Sequence, residues 1–293
     1  MPSVENKKSW LITGASSGLG LEMALAALRA GHCVVGTGRN IEFAANNCPD
    51  FERLGGRWLQ LDVSQPEAQR VVEDFLAAEQ QQEHWVVVNN AGSTLVGTVE
   101  DMSEAQIDAY MQANLHGAIR VWKACLPVLR RNRTGTLITI SSVWGFVPKC
   151  EHMLYSAAKA ALESLTESYA DLLRPFGIRV MIIEPGGFRT GFPENAARSD
   201  RGVTGDYEER IEAWMGVLDE ASRDRTVVNG DPRLFGERIL NAVDGEGAFK
   251  EIGKELRVPL GSDCYGILGQ RLKELGEGYA RISEIAKSTD VAS

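Results

Sequence analysis

The chain has 293 residues, 44% of them hydrophobic and 24% charged, a composition typical of a soluble globular protein that buries a sizeable core. Its 40 acidic and 31 basic residues give a formal net charge of −9, which disfavours nucleic acid or an anionic membrane as the main partner. The five cysteines and four histidines show no metal-ligand spacing, so we expect no metal site. Because no apolar run is long enough for a transmembrane helix and no targeting pattern is present, we expect a cytoplasmic protein.

The first 190 residues alternate short β-branched segments with longer segments of helical periodicity. We predict strands at 10–13, 34–37, 58–61, 85–89, 136–140 and 178–183. We predict helices at 18–30, 65–81, 103–131 and 154–173. A capping box of Ser103 and Gln106 starts the third helix. This alternation predicts an α/β fold, a doubly wound parallel sheet of Rossmann type with helices on both faces, whose ligands bind at the carboxyl ends of the strands.

The pattern changes beyond residue 190. Residues 191–210 are polar, and helices at 208–221, 232–243 and 265–286 and a strand at 256–260 follow. We expect one Rossmann-type domain over 1–293, with the cofactor-binding and catalytic core at 8–190. A substrate lid and C-terminal helices take up 191–293.

The first predicted strand runs into a glycine-rich turn, TGASSGLG at 13–20, and then into a helix. Glycines at 14, 18 and 20 let the backbone approach a diphosphate, and the helix N-terminus offers free N–H groups. The GxxxGxG spacing differs from the GxGxxG of the commonest dinucleotide fingerprint. Its place on the first strand of a βαβ series nevertheless favours a dinucleotide site over an ordinary turn.

The ends of the next strands indicate which dinucleotide binds. Arg39 stands where an NAD site would carry an acidic residue, and a guanidinium pairs bidentately with a phosphate, so we expect NADP. Ser17 offers a hydroxyl to the same phosphate. Asp62 fits two interpretations equally well, an acceptor for the adenine amino group or a cap of the next helix. The segment NNAG at 89–92 leaves room for a flat ring or a ribose, or forms an ordinary turn.

A second group of residues indicates acid–base chemistry. Tyr155 and Lys159 lie four residues apart on a predicted helix and so share one face. A nearby ammonium lowers the pKa of a phenol, which is about 10 when unperturbed. Ser142 ends the fifth strand, where its hydroxyl can position a carbonyl oxygen that Tyr155 protonates. A YxxxK pair alone is common on exposed helices, but its order after Ser142 and the glycine turn favours catalysis.

In combination these motifs resemble the short-chain dehydrogenase/reductase family, in its NADP-dependent branch. The resemblance covers about residues 8–190 and rests on TGASSGLG at 13–20, NNAG at 89–92, Asn114, Ser142, YSAAK at 155–159 and PGGFRT at 185–190. It implies a catalytic tetrad of Asn114, Ser142, Tyr155 and Lys159. In that tetrad Lys159 lowers the Tyr155 pKa, and Asn114 holds a water that relays protons to Lys159. It also implies a homodimer or homotetramer.

The residues that we expect to bind the cofactor come from the turn, the strand ends and the segment after 184. They are Gly14, Ser16, Ser17, Gly18, Leu19, Gly20, Arg39, Asp62, Val63, Asn90, Ala91, Gly92, Tyr155, Lys159, Pro185, Gly186, Phe188 and Thr190.

The expected reaction is NADPH-dependent reduction of a ketone or aldehyde to an alcohol, or its reverse. Two alternatives remain open, a non-redox isomerisation or cyclisation on the same scaffold and a non-catalytic NADP-sensing protein. We expect the substrate site to be lined by Trp144, Phe146, His152, Phe192 and Trp214, whose aromatic rings favour a bulky, mainly apolar compound. The apolar face around Trp214 either packs on the core or closes over the substrate as a lid.

Overall fold

The computed structural model describes residues 7–79, 81–252 and 255–291. The strands are β1 Ser9–Ile12, β2 Cys33–Gly38, β3 Arg57–Gln60, β4 Trp85–Asn89, β5 Leu95–Val96, β6 Gly135–Ile140, β7 Ile178–Pro185, β8 Ala197–Arg198 and β9 Arg257–Leu260. The α-helices are α1 Gly18–Arg29, α2 Ile41–Asn47, α3 Pro49–Arg53, α4 Ala68–Ala78, α5 Glu104–Met111, α6 Gly117–Asn132, α7 Val143–Phe146, α8 Met153–Leu173, α9 Glu208–Arg223, α10 Pro232–Asp244 and α11 Ser262–Lys287.

Seven strands form one parallel sheet in the order β3-β2-β1-β4-β6-β7-β9. The order reverses direction between β1 and β4, so a crevice opens there at the carboxyl ends of the strands. The doubly wound parallel sheet expected from the sequence is confirmed.

Helices cover both faces of this sheet, because its central strands are apolar on both sides. Along β1, Ile12 faces a core that contains Phe235 of α10. Leu11 faces the opposite core, which contains Val72 of α4 and Trp122 of α6. The side chains of one strand therefore anchor two helical layers.

The helix predicted at 103–131 is interrupted. Helices α5 and α6 are joined by a π-helical turn, Gln112–His116, and Asn114 lies in that turn. The predicted capping box forms only in part: the Ser103 hydroxyl accepts from the Gln106 backbone N–H at 3.1 Å, but the Gln106 side chain binds the Arg198 carbonyl instead of turning back. The helix predicted at 65–81 is shorter, since α4 begins at Ala68 and ends at Ala78.

The segment after β7 is joined to the core by backbone and side-chain contacts. The short strands β5 and β8 pair in parallel. Asp101 accepts hydrogen bonds from the backbone N–H and the hydroxyl of Thr204, at 3.0 and 2.7 Å. Arg210 of α9 reaches Glu151 at 2.8 Å. Residues 197–210 therefore have fixed partners on the chain that precedes β7.

Candidate active site

The glycine-rich turn after β1 packs directly on the segment after β4. Gly14 and Gly18 have positive φ angles of 64° and 57°, which glycine adopts without strain. A side chain at Gly14 would place its Cβ 2.9 Å from the Cα of Ala91. The Asn90 amide donates to the carbonyls of Thr13 and Gly14, at 2.9 and 3.1 Å, and so holds the two segments together.

This turn fits the diphosphate of a dinucleotide. Ser17 is the N-cap of α1, but its side chain makes no capping hydrogen bond. The first turn of the helix therefore presents backbone N–H groups and the positive end of its dipole without a side-chain acceptor. Ser16 lies beside Gly38, since a Cβ added to that glycine would lie 3.4 Å from the Cβ of Ser16. Leu19 and Gly20 continue the turn into α1.

The adenosine end of the predicted cofactor site lies at β2 and β3. Within residues 7–79, 81–252 and 255–291, the Arg39 side chain makes no hydrogen bond or ion pair, and it is exposed. Asp62 accepts from the backbone N–H and the hydroxyl of Ser64, at 3.0 and 2.7 Å, as the capping interpretation expects. Although burial acts to raise it, the pKa of Asp62 is lowered by these bonds and by the charge of Arg39. Val63 packs on Gly117 of α6.

The predicted tetrad comes together at the carboxyl edge of the sheet. Asn114, Ser142, Tyr155 and Lys159 are all buried. The Lys159 ammonium donates to the Ile140 carbonyl at 2.8 Å, and Asn114 accepts from the Ser93 backbone N–H at 2.9 Å. A Cβ at Gly92 would stand 3.0 Å from Asn114 Oδ1 and 3.6 Å from Lys159 Nζ. Glycine at this position therefore lets the π turn, the end of β4 and α8 converge.

The acid–base state of Tyr155 differs from the expectation. Burial raises the pKa of Tyr155 to about 12, although a hydrogen bond with Ser142 acts to lower it. The predicted lowering by Lys159 is not found, because the ammonium is bound to the Ile140 carbonyl and stands 5.8 Å from the centre of the Tyr155 ring. Burial also lowers the pKa of Lys159 to about 8, against the raising effect of Glu163. At neutral pH the phenol therefore keeps its proton.

Behind the tetrad lies an ionic cluster with buried carboxylates, which no local sequence pattern predicts. Ser141, next to Ser142, donates to Glu163 at 2.5 Å. Arg257 of β9 donates to Glu163 at 2.8 Å and to Glu184 of β7 at 2.7 Å. Because Glu163 lies one helical turn after Lys159, this cluster braces both the serine loop and the lysine helix.

An aromatic wall stands beside Tyr155. The Phe192 ring lies 6.2 Å from that of Tyr155, and the Trp144 and Trp214 rings meet edge to face at 6.5 Å. Phe146 is not part of this wall, contrary to the expectation. Its ring packs near α11, 5.5 Å from the Arg257 guanidinium.

His152 lies within the wall but is fully engaged by the protein. Its Nδ1 stands 3.1 Å from the Leu95 carbonyl, and its Nε2 accepts from the Trp214 indole N–H at 2.6 Å. Burial lowers the pKa of His152, so the neutral ring that accepts this hydrogen bond is favoured. We therefore replace the expected substrate contact with a role in holding Trp214.

Helix α9 combines the two arrangements that the sequence left open. Ile211 and Met215 are buried against Val96 of β5, as in a core helix. Trp214, on the adjacent face, turns towards His152 and Trp144. The helix is thus packed in place and closes one side of the site.

The segment after β7 meets the glycine turn at Thr190. A Cβ added to Gly18 would lie 3.6 Å from the Cβ of Thr190. Gly186 follows Pro185 and faces the Asp263 carboxylate, which accepts from the Gly187 backbone N–H at 2.7 Å. The Phe188 ring differs from the expectation. It packs on Phe235 at 5.0 Å and is partly buried against the core.

Other kinds of site are absent from the described parts of the chain. No group of three or more metal-ligating side chains occurs in 7–79, 81–252 or 255–291. Within those same ranges, none of the helices has the length and apolarity needed to cross a bilayer.

Comparison with known proteins gives consistent matches. Residues 8–201 match the family model described as short chain dehydrogenase. The chain is 41% identical over 193 residues to oxidoreductase claN of Passalora fulva, covering 65% of this chain and 86% of that protein. It is 34% identical over 235 residues to 3-ketodihydrosphingosine reductase of Bacteroides thetaiotaomicron, covering 80% and 82%. A short-chain dehydrogenase from Streptomyces avermitilis superposes with a TM-score of 0.85 at 33% identity, covering 98% of this chain and all of that one.

Proposed function

Because the chain belongs to the short-chain dehydrogenase family, an oxidoreductase family that uses nicotinamide cofactors, we propose that it reduces a ketone or aldehyde to an alcohol with NADPH. The bound cofactor supplies the hydride. The observation that carries the proposal is the buried, protonated Tyr155 beside Ser142 and Lys159, close to the glycine turn.

In this proposal each member of the tetrad has one task. Ser142 donates a hydrogen bond to the carbonyl oxygen and fixes its position. Tyr155 gives that oxygen a proton, which its raised pKa keeps available at neutral pH. Lys159 holds positive charge next to the phenol, and Asn114 fixes the π turn that faces it. A stored proton suits reduction better than oxidation, which would require the phenolate.

The test of this assignment is Tyr155→Phe, with Tyr169→Phe on the same helix as the control. Tyr155→Phe removes only the hydroxyl, so we expect turnover to fall about 10²- to 10⁴-fold while NADPH binding is retained. Tyr169 packs on Trp122, away from the site, and its variant should keep full turnover. Near wild-type turnover in Tyr155→Phe would show that another group donates the proton.

Arg39 supports NADP as the cofactor within this proposal. Its exposed guanidinium is free of protein partners in the described residues and stands beyond β2, where a ribose 2′-phosphate would need a cation. Ser17, uncapped at the start of α1, would add a hydroxyl.

Arg39→Ala should therefore weaken NADP binding roughly 10- to 150-fold and leave NAD binding nearly unchanged. Arg53→Ala, which removes an exposed arginine of α3 that pairs with Asp50, controls for a general loss of positive charge. Titration of both cofactors by fluorescence measures the difference. Equal weakening of NAD and NADP by Arg39→Ala would remove the basis for a phosphate contact.

The aromatic wall supports a bulky, mainly apolar substrate. Trp144, Trp214 and Phe192 offer apolar surface beside Tyr155, and such walls contribute most of the affinity in ligand pockets. A panel of carbonyl compounds of increasing apolar size should show rising kcat/KM. A preference for small sugars or hydroxy acids would contradict this part of the proposal.

A further inference from the structure

Helix α11 extends well beyond the surface that it packs on. It spans Ser262–Lys287, 26 residues, or about 39 Å. Its two buried side chains, Cys264 and Leu268, both lie in its first two turns, against α7 and β9. The helix also carries exposed apolar side chains, namely Tyr265, Leu272, Tyr279, Ile282 and Ile285, which are 52–74% exposed.

All of these side chains except Ile285 fall at the first or fourth position of a seven-residue repeat. The segment reads YGILGQR, LKELGEG and YARISEI, beginning at 265, 272 and 279. The first position is Tyr265, Leu272 and Tyr279. The fourth position is Leu268, Leu275 and Ile282, of which Leu268 already packs on Val143 of its own chain and is not free for a partner. Large apolar residues at the first and fourth positions of a heptad form the seam of a left-handed coiled coil, which requires a second helix.

Small residues border this seam in the same repeat. The fifth position is Gly269, Gly276 and Ser283. A glycine in a helix interior costs about 1 kcal/mol relative to alanine. A Cβ at Gly269 or Gly276 would meet no atom within 4 Å, so no contact within the described chain requires a glycine at either position. A second helix backbone that approaches the seam closely would require both.

We propose that α11 pairs with α11 of a second copy of this chain, along the seam formed by Tyr265, Leu272, Leu275, Tyr279 and Ile282. The seam presents large side chains next to notches, which are the gaps left by Gly269 and Gly276. Large residues of one copy can fill the notches of the other, so the seam is complementary to itself across a two-fold axis.

The area and charge of the helix both fit a second copy. The exposed apolar side chains offer on the order of 600 Å² per helix, so a pair would bury about 1,200 Å², the lower limit of a specific interface. The helix carries four acidic and four basic residues, so it is neutral in a chain of net charge −9. Two copies can therefore approach here without charge repulsion. The balanced polar face also argues against a lipid surface, which selects an excess of Lys and Arg.

The test is the molar mass of the full-length protein, measured by light scattering after gel filtration. Leu272→Lys places a charge in the seam, and Gln270→Lys places the same charge on the polar face of the same helix. Gly276→Leu fills a notch, and Gly266→Leu makes the same change where the helix also has open space but lies away from the seam. Circular dichroism monitors the folding of all four variants.

We expect the two seam variants to halve the molar mass and the two control variants to keep it. Gly276→Leu is the sharper variant, because leucine favours the helix within one chain and yet should separate the copies. A monomeric wild type at 100 μM, an unchanged mass in the seam variants, or an equal loss in the controls would each overturn the proposal.

Discussion

Arg257 supports one clear prediction about stability. Its guanidinium bridges Glu163 and Glu184, whose side chains are only 4% and 3% exposed, and also reaches Glu167 at 2.9 Å. Arg257→Met keeps most of the side-chain volume over the Phe146 ring but leaves two buried carboxylates without their cation. Removing one partner of a buried ion pair costs about 3–5 kcal/mol, because the other charge stays buried.

For a chain of 293 residues, that loss corresponds to a Tm about 5–8 °C lower at pH 7.5. The matched control is Arg233→Met. Arg233 pairs with Glu237 on the surface of α10, where both side chains are more than 40% exposed. Loss of that pair costs less than about 1 kcal/mol.

The pH dependence of the stability lost in Arg257→Met distinguishes unpaired buried charge from a simple loss of packing. Burial and the neighbouring Glu163 charge raise the pKa of Glu184. A raised carboxyl pKa means that the folded state binds the proton more tightly than the unfolded state, so its contribution to stability grows as the pH falls through that pKa. Without Arg257 the pKa rises further, so the deficit of Arg257→Met should shrink between pH 7.5 and pH 5. Urea unfolding at both pH values measures it. If Arg257→Met lowers the free energy of unfolding by the same amount at both pH values, buried charge is not the cause of the loss.

Two further predictions concern activity. Since the pKa of Lys159 is lowered to about 8, kcat/KM for reduction should fall as the pH rises through that value. The Glu163 charge raises this pKa, so Glu163→Gln should shift the fall in kcat/KM to lower pH in a pH–rate profile. An unshifted profile would exclude an effect of Glu163 on the Lys159 pKa. Trp214→Phe removes the hydrogen bond to His152 that holds this ring in the aromatic wall, so KM for bulky substrates should rise roughly 2- to 10-fold. Val217→Ala, on the exposed side of α9, should leave KM unchanged. Steady-state kinetics would contradict this role of Trp214 if kcat alone changed.

The sequence predicted those features that depend on local pattern. The strand at 85–89 has the predicted bounds, and α8 begins one residue before its predicted start. Both segments combine strong periodicity with clear ends. Spacing and order placed Ser142, Tyr155 and Lys159 at one sheet edge, whereas Asn114 came only from the resemblance to the family.

The features that the sequence did not reveal depend on distant partners. Arg257 and Glu163 are 94 residues apart, and nothing near either one marks it as half of a buried pair. Likewise Phe146 and Phe188 are aromatic residues next to catalytic motifs, and only the packing shows that their rings lie against buried clusters away from Tyr155. Burial also reversed the expected shift of the Tyr155 pKa, because a spacing of four residues does not say where the ammonium donates.

The π turn at Gln112–His116 fixes the number of residues between α5 and α6. A π turn behaves as one extra residue inserted into an α-helix. Helix α5 before it is held by Tyr110 in the cluster beside Tyr155, and α6 after it is held by Trp122 against the sheet. Deleting one residue here would rotate one of these faces by about 100° relative to the other. A deletion scan along the chain should therefore show an intolerant point in this turn, even at positions other than Asn114 where a substitution is tolerated.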